Sequence, residues 1–405
     1  FKTLDRLKLR EMLLLEKGGD DDGSKSTITS TMDDTTKIKV ATQAIGLNFA
    51  DVFTILGYYK AANLVRQGQQ QFGLSSSKRQ QAFCPGLEFC GVILQDYYFS
   101  TITTTANEFN NTTIVDENNL ERIKMFSKGD RVFGFTRFGA YQDIVTVESP
   151  EHIQKLPDSW SFEEGASFLV NVLTAWHGLV TVAGMPNLVS NNKEQQPNIT
   201  TSKNDIHDDE KKPVVVLVHS AAGGVGLWAS EIAARRGGIV IGVVGLEEKK
   251  NTFMDRIKPI CPQAQCLVRS SSAKIFESDL RQAVLQARSK HHDDSNRSSG
   301  GCESTLSSKG IVSKGWGIDF VMESYGGRYF KPSLNLINAG GSLATYGSTS
   351  YNGSGYGKSI PFWQLLWKYF TRPRIDPGDL TTRNVRVGGF NLIFLTNRVE
   401  ELSAA

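Results

Sequence analysis

The stretch VVVLVHSAAGGVG, residues 214–226, runs five apolar β-forming residues into a glycine-rich turn. A run this apolar, closed by glycines, reads as a strand buried on both faces that feeds a helix. In that setting Ala221, Gly223 and Gly226 take the three places of a G-x-G-x-x-G fingerprint. Gly223 lets the backbone approach a pyrophosphate, and Gly226 lets the helix pack closely on the strand. Gly224 and Val225 open the helix, whose free N–H groups and partial positive charge suit that anion. The other reading is an ordinary tight strand-to-helix turn. Its place at the head of a βαβαβ series favours the dinucleotide.

The series continues downstream. Strands are expected at 214–219, 239–244, 266–268, 318–322, 342–346 and 385–390, and helices at 224–236, 247–257, 273–287 and 328–337. Short apolar strands alternating with helices imply a doubly wound parallel sheet covered on both faces, an α/β domain. A NAD site places an acid at the end of the second strand, about 20 residues on, for the ribose 2′-OH. Nineteen residues after Gly226 stands Gly245, and Lys249 follows. A cation there suits a 2′-phosphate and an acid would repel it, so the pattern favours NADPH over NADH. A solvated helix charge is the other reading of Lys249, and Glu247 and Glu248 complicate the site.

The first half differs. IKVATQAIGLNFADVF (38–53), EFCGVILQ (88–95), GDRVFGF (129–135) and AYQDIVTV (140–147) are short strands between turn residues, which implies a β-rich domain. Stretches 18–36, 97–119, 187–212 and 288–310 are polar and read as surface filler, the first of them mobile. The sequon Asn198-Ile199-Thr200 reads as a chance match, and His291 and His292 as a solvated loop pair without ligand spacing.

Composition excludes several classes. The chain has 405 residues, 45 Lys and Arg against 42 Asp and Glu, and a net charge of +3, so no strong field points to nucleic acid. Its five cysteines are sparse and irregular, which fits a reducing compartment and a cytoplasmic location. No apolar run reaches the ~18 residues of a membrane span.

Seven collinear blocks carry a resemblance. They are GLNFADVF (46–53), PGLEFCGVI (85–93), KGDRVFGF (128–135), FEEGASFLVNVLTAWHGL (162–179), VLVHSAAGGVG (216–226), GIDFVMESYGG (317–327) and GGFNLIFL (388–395). Together they resemble the medium-chain dehydrogenase/reductase superfamily, in its zinc-free quinone oxidoreductase (zeta-crystallin-like) branch, nearest to the synaptic vesicle amine transport protein homologues. The resemblance implies a GroES-like catalytic domain over 35–160 and a Rossmann domain over 161–395, with NADPH between them. Zinc alcohol dehydrogenases need a Cys in the first block and a His-Glu pair in the second. Here those places hold Asn48 and Leu87 beside Glu88, so no metal is expected.

The activity implied is hydride transfer from NADPH to a small electrophilic acceptor, a quinone or activated enone. By resemblance Asn48 and Thr174 lie near the nicotinamide, and Tyr59 lines the substrate cleft as a proton donor. Arg269 lies near the adenosine end, and Phe390 and Leu392 reach the cofactor from the far side. Each has a plainer reading: Asn48 a turn cap, Thr174 a core residue, Tyr59 a surface aromatic. Phe53 stands where relatives often carry a tyrosine. The chain ends where the family's return helix would begin and lacks a complete first hairpin, so it reads as truncated with open strand edges. The strand near 385–393 is apolar on both sides and is expected to pair across a two-fold axis in a homodimer. The competing function is a non-catalytic vesicle-trafficking or lipid-binding protein on the same scaffold, in peripheral contact with membrane.

Overall fold

A computed structural model describes residues 26–30, 37–57, 59, 61–63, 83–107, 112–147, 149–189, 213–289, 316–347, 363 and 370–395. The sequon at 198–200 and His291 and His292 lie outside the described residues, as do most of 187–212 and 288–310. The chain divides into two compact units, 1–170 with 393–404, and 171–392.

The second unit is built on a six-stranded, wholly parallel sheet. Its strands are β9 (Val215–His219), β10 (Ile239–Val244), β11 (Gln265–Val268), β12 (Ile318–Glu323), β13 (Ile337–Thr345) and β14 (Arg386–Gly389). They lie in the order β11-β10-β9-β12-β13-β14. Winding starts at the centre, runs out to β11, then resumes on the far side of β9. The strand order therefore reverses between β9 and β12, where open α/β sheets hold ligands. Helices Gly224–Arg235 and Lys249–Ile257 connect the first three strands, and Ala273–Ser289 leads back to β12. The sheet explains the unbroken apolar runs. Val216, Val218 and Val240 pack into one layer, while Val215, Leu217, Ile239 and Ile241 pack into the layer beneath. Both faces are covered, so neither parity is free to be polar.

One expected element shifts and one is new. The helix expected over 328–337 is a short 3-10 turn, Gly327–Tyr329, followed by Phe330–Asn335. Its last residue, Ile337, instead starts β13. Helix Pro377–Arg383, capped by the Asp376 side chain on Gly378 N–H, was not anticipated.

The first unit holds a five-stranded antiparallel sheet. Its strands are β2 (Ile38–Ile45), β3 (Glu88–Ile93), β6 (Arg131–Phe135), β7 (Ile144–Val147) and β8 (Ile153–Lys155), in the order β7-β2-β3-β6-β8. Ile38, Val40, Phe89, Ile93, Val132 and Val145 form its core. A second sheet corrects the reading of 18–36 and 97–119 as filler. There β1 (Ser26–Ser30) pairs with β4 (Tyr97–Asn107), and β4 pairs with β5 (Thr112–Phe126), all antiparallel. These segments are short of aliphatic residues but rich in threonine, tyrosine and phenylalanine, which fit a pleated surface. Apolar content was the wrong measure for them.

Candidate functional site

The glycine-rich turn has the shape of a cradle. Ser220 sits at φ 53, a left-handed conformation uncommon outside glycine. Its carbonyl accepts from Gly223 N–H at 2.9 Å. A Cβ on Gly226 would lie 2.2 Å from that same carbonyl oxygen, so only glycine fits. Gly223 caps helix Gly224–Arg235 without a side chain, which leaves the first-turn N–H groups for an anion. Ala221, in the first glycine place, is fully buried and donates its N–H to Val243 O at 3.0 Å. A Cβ on Gly224 would meet the Asn171 side chain at 2.5 Å, so Asn171 lies over the turn. Thr174, three residues on along helix Leu169–Trp176, is 8% exposed.

At the end of β10 the side chains are cationic and aromatic. A Cβ on Gly245 would stand 3.5 Å from Arg269 Nη2. The Arg269 guanidinium carbon lies 4.1 Å from the centre of the Tyr325 ring. Its Nη2 donates to Ser220 Oγ at 3.4 Å, and Ser324 Oγ donates to Ser220 Oγ at 3.0 Å. Arg269 Nε is buried and has no hydrogen-bond partner. Lys249 opens the next helix and is exposed. It is Arg269, 24 residues after Gly245, that stands against the missing acid.

Phe390 follows β14, with its N–H bonded to Thr345 O at 3.1 Å. It packs edge-on against His177 at 4.9 Å and lies 6.1 Å from the Tyr346 ring. Burial pushes the Tyr346 phenol up despite its hydrogen bond with Ser324. Leu392 is half-buried in the turn Leu392–Phe394.

In the first unit Asn48 caps helix Phe49–Ile55. Its backbone N–H donates to Asp51 Oδ2 at 2.8 Å, and its Nδ2 donates to Glu88 Oε1 at 2.9 Å. Val170 N–H donates to Glu88 Oε2 at 2.9 Å. A Cβ on Gly46 would lie 2.4 Å from Glu88 Cγ, so glycine makes room for the carboxyl. Burial outweighs both donors and pushes Glu88 up to about 7, with the Asp51 charge adding to it. Burial raises Asp51 as well. Tyr59 is elsewhere in this unit, packed with Ala61, Leu87 and Ile393 and edge-on to Phe138 at 6.3 Å.

Glu88 makes stability depend on pH. The folded state binds its proton more tightly than the unfolded chain does, so stability falls as pH rises from the unfolded value near 4.5 to about 7, then levels. The span is on the order of 3 kcal/mol. Glu88→Gln is expected to remove that slope in melting curves recorded between about pH 5 and pH 8. Equal slopes in the two proteins would contradict it.

Sequence reading singled out Ala221, Gly223, Gly224, Val225 and Gly226, and the structure gathers them in one turn, with Arg269 beside Ser220. It overlooked Ser220, Tyr325 and Asn171 around that turn, and Asp51 and Tyr141 near Asn48. Tyr325 and Asn171 sit inside the quoted blocks, but nothing in their spacing says what they face. Among the described residues no group of three His, Cys, Asp or Glu side chains is placed to hold a metal ion.

No family model matches the chain. It is 21% identical over 361 residues to the synaptic vesicle membrane protein VAT-1 homolog-like of Mus musculus, a match covering 89% of this chain and 60% of that protein. It is 25% identical over 314 residues to the phenolphthiocerol synthesis polyketide synthase type I Pks15/1 of Mycobacterium bovis, covering 77% of this chain and 10% of that one. The chain thus spans less than two thirds of the length of these curated relatives. Among solved structures, a mycobacterial protein complexed with NADPH matches with a TM-score of 0.52 at 22% identity, over 93% of this chain and 79% of that one. The CurK enoyl reductase matches with a TM-score of 0.50 at 19% identity, over 91% and 77%. The chain shares the fold of these two structures, a parallel Rossmann-type sheet in one unit and an antiparallel β-rich unit beside it in sequence, and a VAT-1 homologue of the kind the seven blocks resemble is among the sequence matches.

Proposed function

We propose that the chain is an oxidoreductase that binds NADPH and reduces an electrophilic quinone or enone without a metal. The observation that carries this is the Arg269 guanidinium beside Gly245, with a buried unpartnered Nε, where a NAD site would hold an acid. The cradle fits a pyrophosphate, since Gly226 leaves no room for a side chain and the helix N-terminus faces the turn. NADPH supplies a hydride, which the acceptor takes up together with a proton. In this reading the turn 221–226 orients the pyrophosphate, and Arg269, Ser220 and Lys249 hold the 2′-phosphate. Thr174 and Asn48 fix polar groups toward the nicotinamide end, Phe390 and Leu392 wall the cofactor, and Tyr59 protonates the reduced oxygen. Titration with NADPH and NADH, followed by NADPH oxidation across a panel of quinones and enones, tests it. Tighter NADPH binding with turnover, and no stoichiometric zinc by elemental analysis, is the expected result. Equal affinities or bound zinc would overturn it.

The protein is expected to be a homodimer through residues near 385–393. Among the described residues β14 pairs only with β13, and an open edge invites a partner strand. Light scattering at micromolar concentration should find a dimer that Val387→Pro weakens. A monomer, or a dimer indifferent to that change, rules this interface out.

A second reading rests on another observation. Leu47, Phe49, Ile55 and Leu56 are 80%, 65%, 65% and 54% exposed, an apolar surface suited to lipid. No helix among the described residues is long and apolar enough to cross a membrane, so contact by this surface would be peripheral. Liposome flotation with NADPH binding but no turnover would favour a lipid-binding protein.

A further inference from the structure

Three side chains with no part in the proposed chemistry form a sealed polar cluster at the ends of β9 and β12. His219 and Glu323 are both fully buried, with His219 Nε2 3.3 Å from Glu323 Oε2. Ser333 Oγ donates to Tyr329 O at 2.9 Å and lies 2.8 Å from His219 Nε2. Its one proton is thereby used, so the imidazole proton sits on Nε2 and goes to Ser333, while Glu323 Oε2 is buried 3.3 Å away without a hydrogen-bond partner. Burial pushes His219 below the usual imidazole range, against the pull of Glu323, and the ring is neutral. The opposite carboxylate oxygen, Oε1, accepts two backbone donors, Tyr325 N–H at 2.6 Å and Gly326 N–H at 2.8 Å.

A carboxyl with no exposure is costly unless its oxygens are matched by donors. For Oε1 the donors are the turn itself. Gly326 and Gly327 lie at φ 70 and φ 59, and two glycines in succession give a backbone with little preference of its own. The two hydrogen bonds to Glu323 therefore choose the turn's conformation. That conformation places the Tyr325 ring on the Arg269 guanidinium at 4.1 Å.

We propose that Glu323 is a positioning residue for cofactor selection: by holding Tyr325 against Arg269 it fixes the guanidinium where a 2′-phosphate binds. It touches no part of the cofactor. The inference rests on the NADPH reading above.

Calorimetric binding of 2′,5′-ADP and 5′-AMP, which differ only in the 2′-phosphate, to the full chain tests it without turnover. Wild type should prefer 2′,5′-ADP. Glu323→Ala should weaken 2′,5′-ADP about tenfold or more and 5′-AMP less than about twofold, because the glycine turn is built from other residues. Tyr325→Leu, at a half-buried ring outside the sealed cluster, should reproduce that selective loss, and the double variant should be no worse than Tyr325→Leu alone. An equal loss for both ligands, an additive double variant, or an unchanged Tyr325→Leu overturns the proposal. If Glu323→Ala does not fold, Tyr325→Leu decides alone. A wild type without preference for 2′,5′-ADP overturns the NADPH reading itself, which separates that failure from this one.

Discussion

Gly226→Ala is expected to destroy the cradle. The new Cβ would stand 2.2 Å from Ser220 O and 2.8 Å from Ala221 Cα. Both are backbone atoms, so no rotamer change relieves the clash and helix Gly224–Arg235 must move off the strand. Overpacking of this kind costs about 1–3 kcal/mol. A displacement of about 1 Å at the site would lower cofactor affinity on the order of a hundredfold. Gly223→Ala is the control for stability, because its Cβ meets Ser220 O at 3.2 Å, where a small adjustment suffices. Melting curves on both variants and an NADPH titration on Gly226→Ala check this. Equal melting behaviour of the two would mean that the turn is not the rigid element described.

Gly245→Asp is expected to invert cofactor preference. The position is exposed, and the nearest atoms to a Cβ there are Arg269 Nη2 at 3.5 Å and Cζ at 3.7 Å, ordinary contacts. The new carboxylate would pair with Arg269 and repel a 2′-phosphate, while offering an acceptor to a ribose hydroxyl. A lost charge-assisted hydrogen bond is worth about 1.5–3 kcal/mol. NADPH affinity should therefore fall roughly ten- to a hundredfold while NADH affinity rises. Arg269→Gln should lower NADPH affinity similarly and leave NADH nearly unchanged. Preservation of NADPH affinity in both variants would remove Arg269 from the site.

Much of the second unit was legible along the chain. The run 214–219 has no polar interruption before His219, so it had to be buried on both faces, and the strand at 239–244 followed the same rule, while 318–322 breaks it only at Asp319. Gly226 could be assigned because a local steric demand shows as a fixed spacing from the strand. The long hairpin of β4 and β5 was not legible, because β4 is rich in threonine and the polar run Asp116–Asn119 interrupts β5. Arg269 was reached through resemblance rather than spacing, since its place beside Gly245 depends on β11 pairing with β10.

The amino-acid sequence by itself determined the parallel sheet, the glycine turn and the absence of an acid at the end of β10. These are properties of neighbours in the chain, set by side-chain size and by the period of two along a strand. Only the tertiary structure decided which distant groups meet: Asn48 with Glu88, 40 residues apart, His219 with Ser333, 114 apart, and Ser220 with Ser324, 104 apart. A buried carboxyl such as Glu88 or Glu323 reads in sequence as any other acid. What changes the proton affinity of Glu88, and what lets Glu323 hold a turn, is the set of donors and the loss of water around each, and both arise only when the strands assemble.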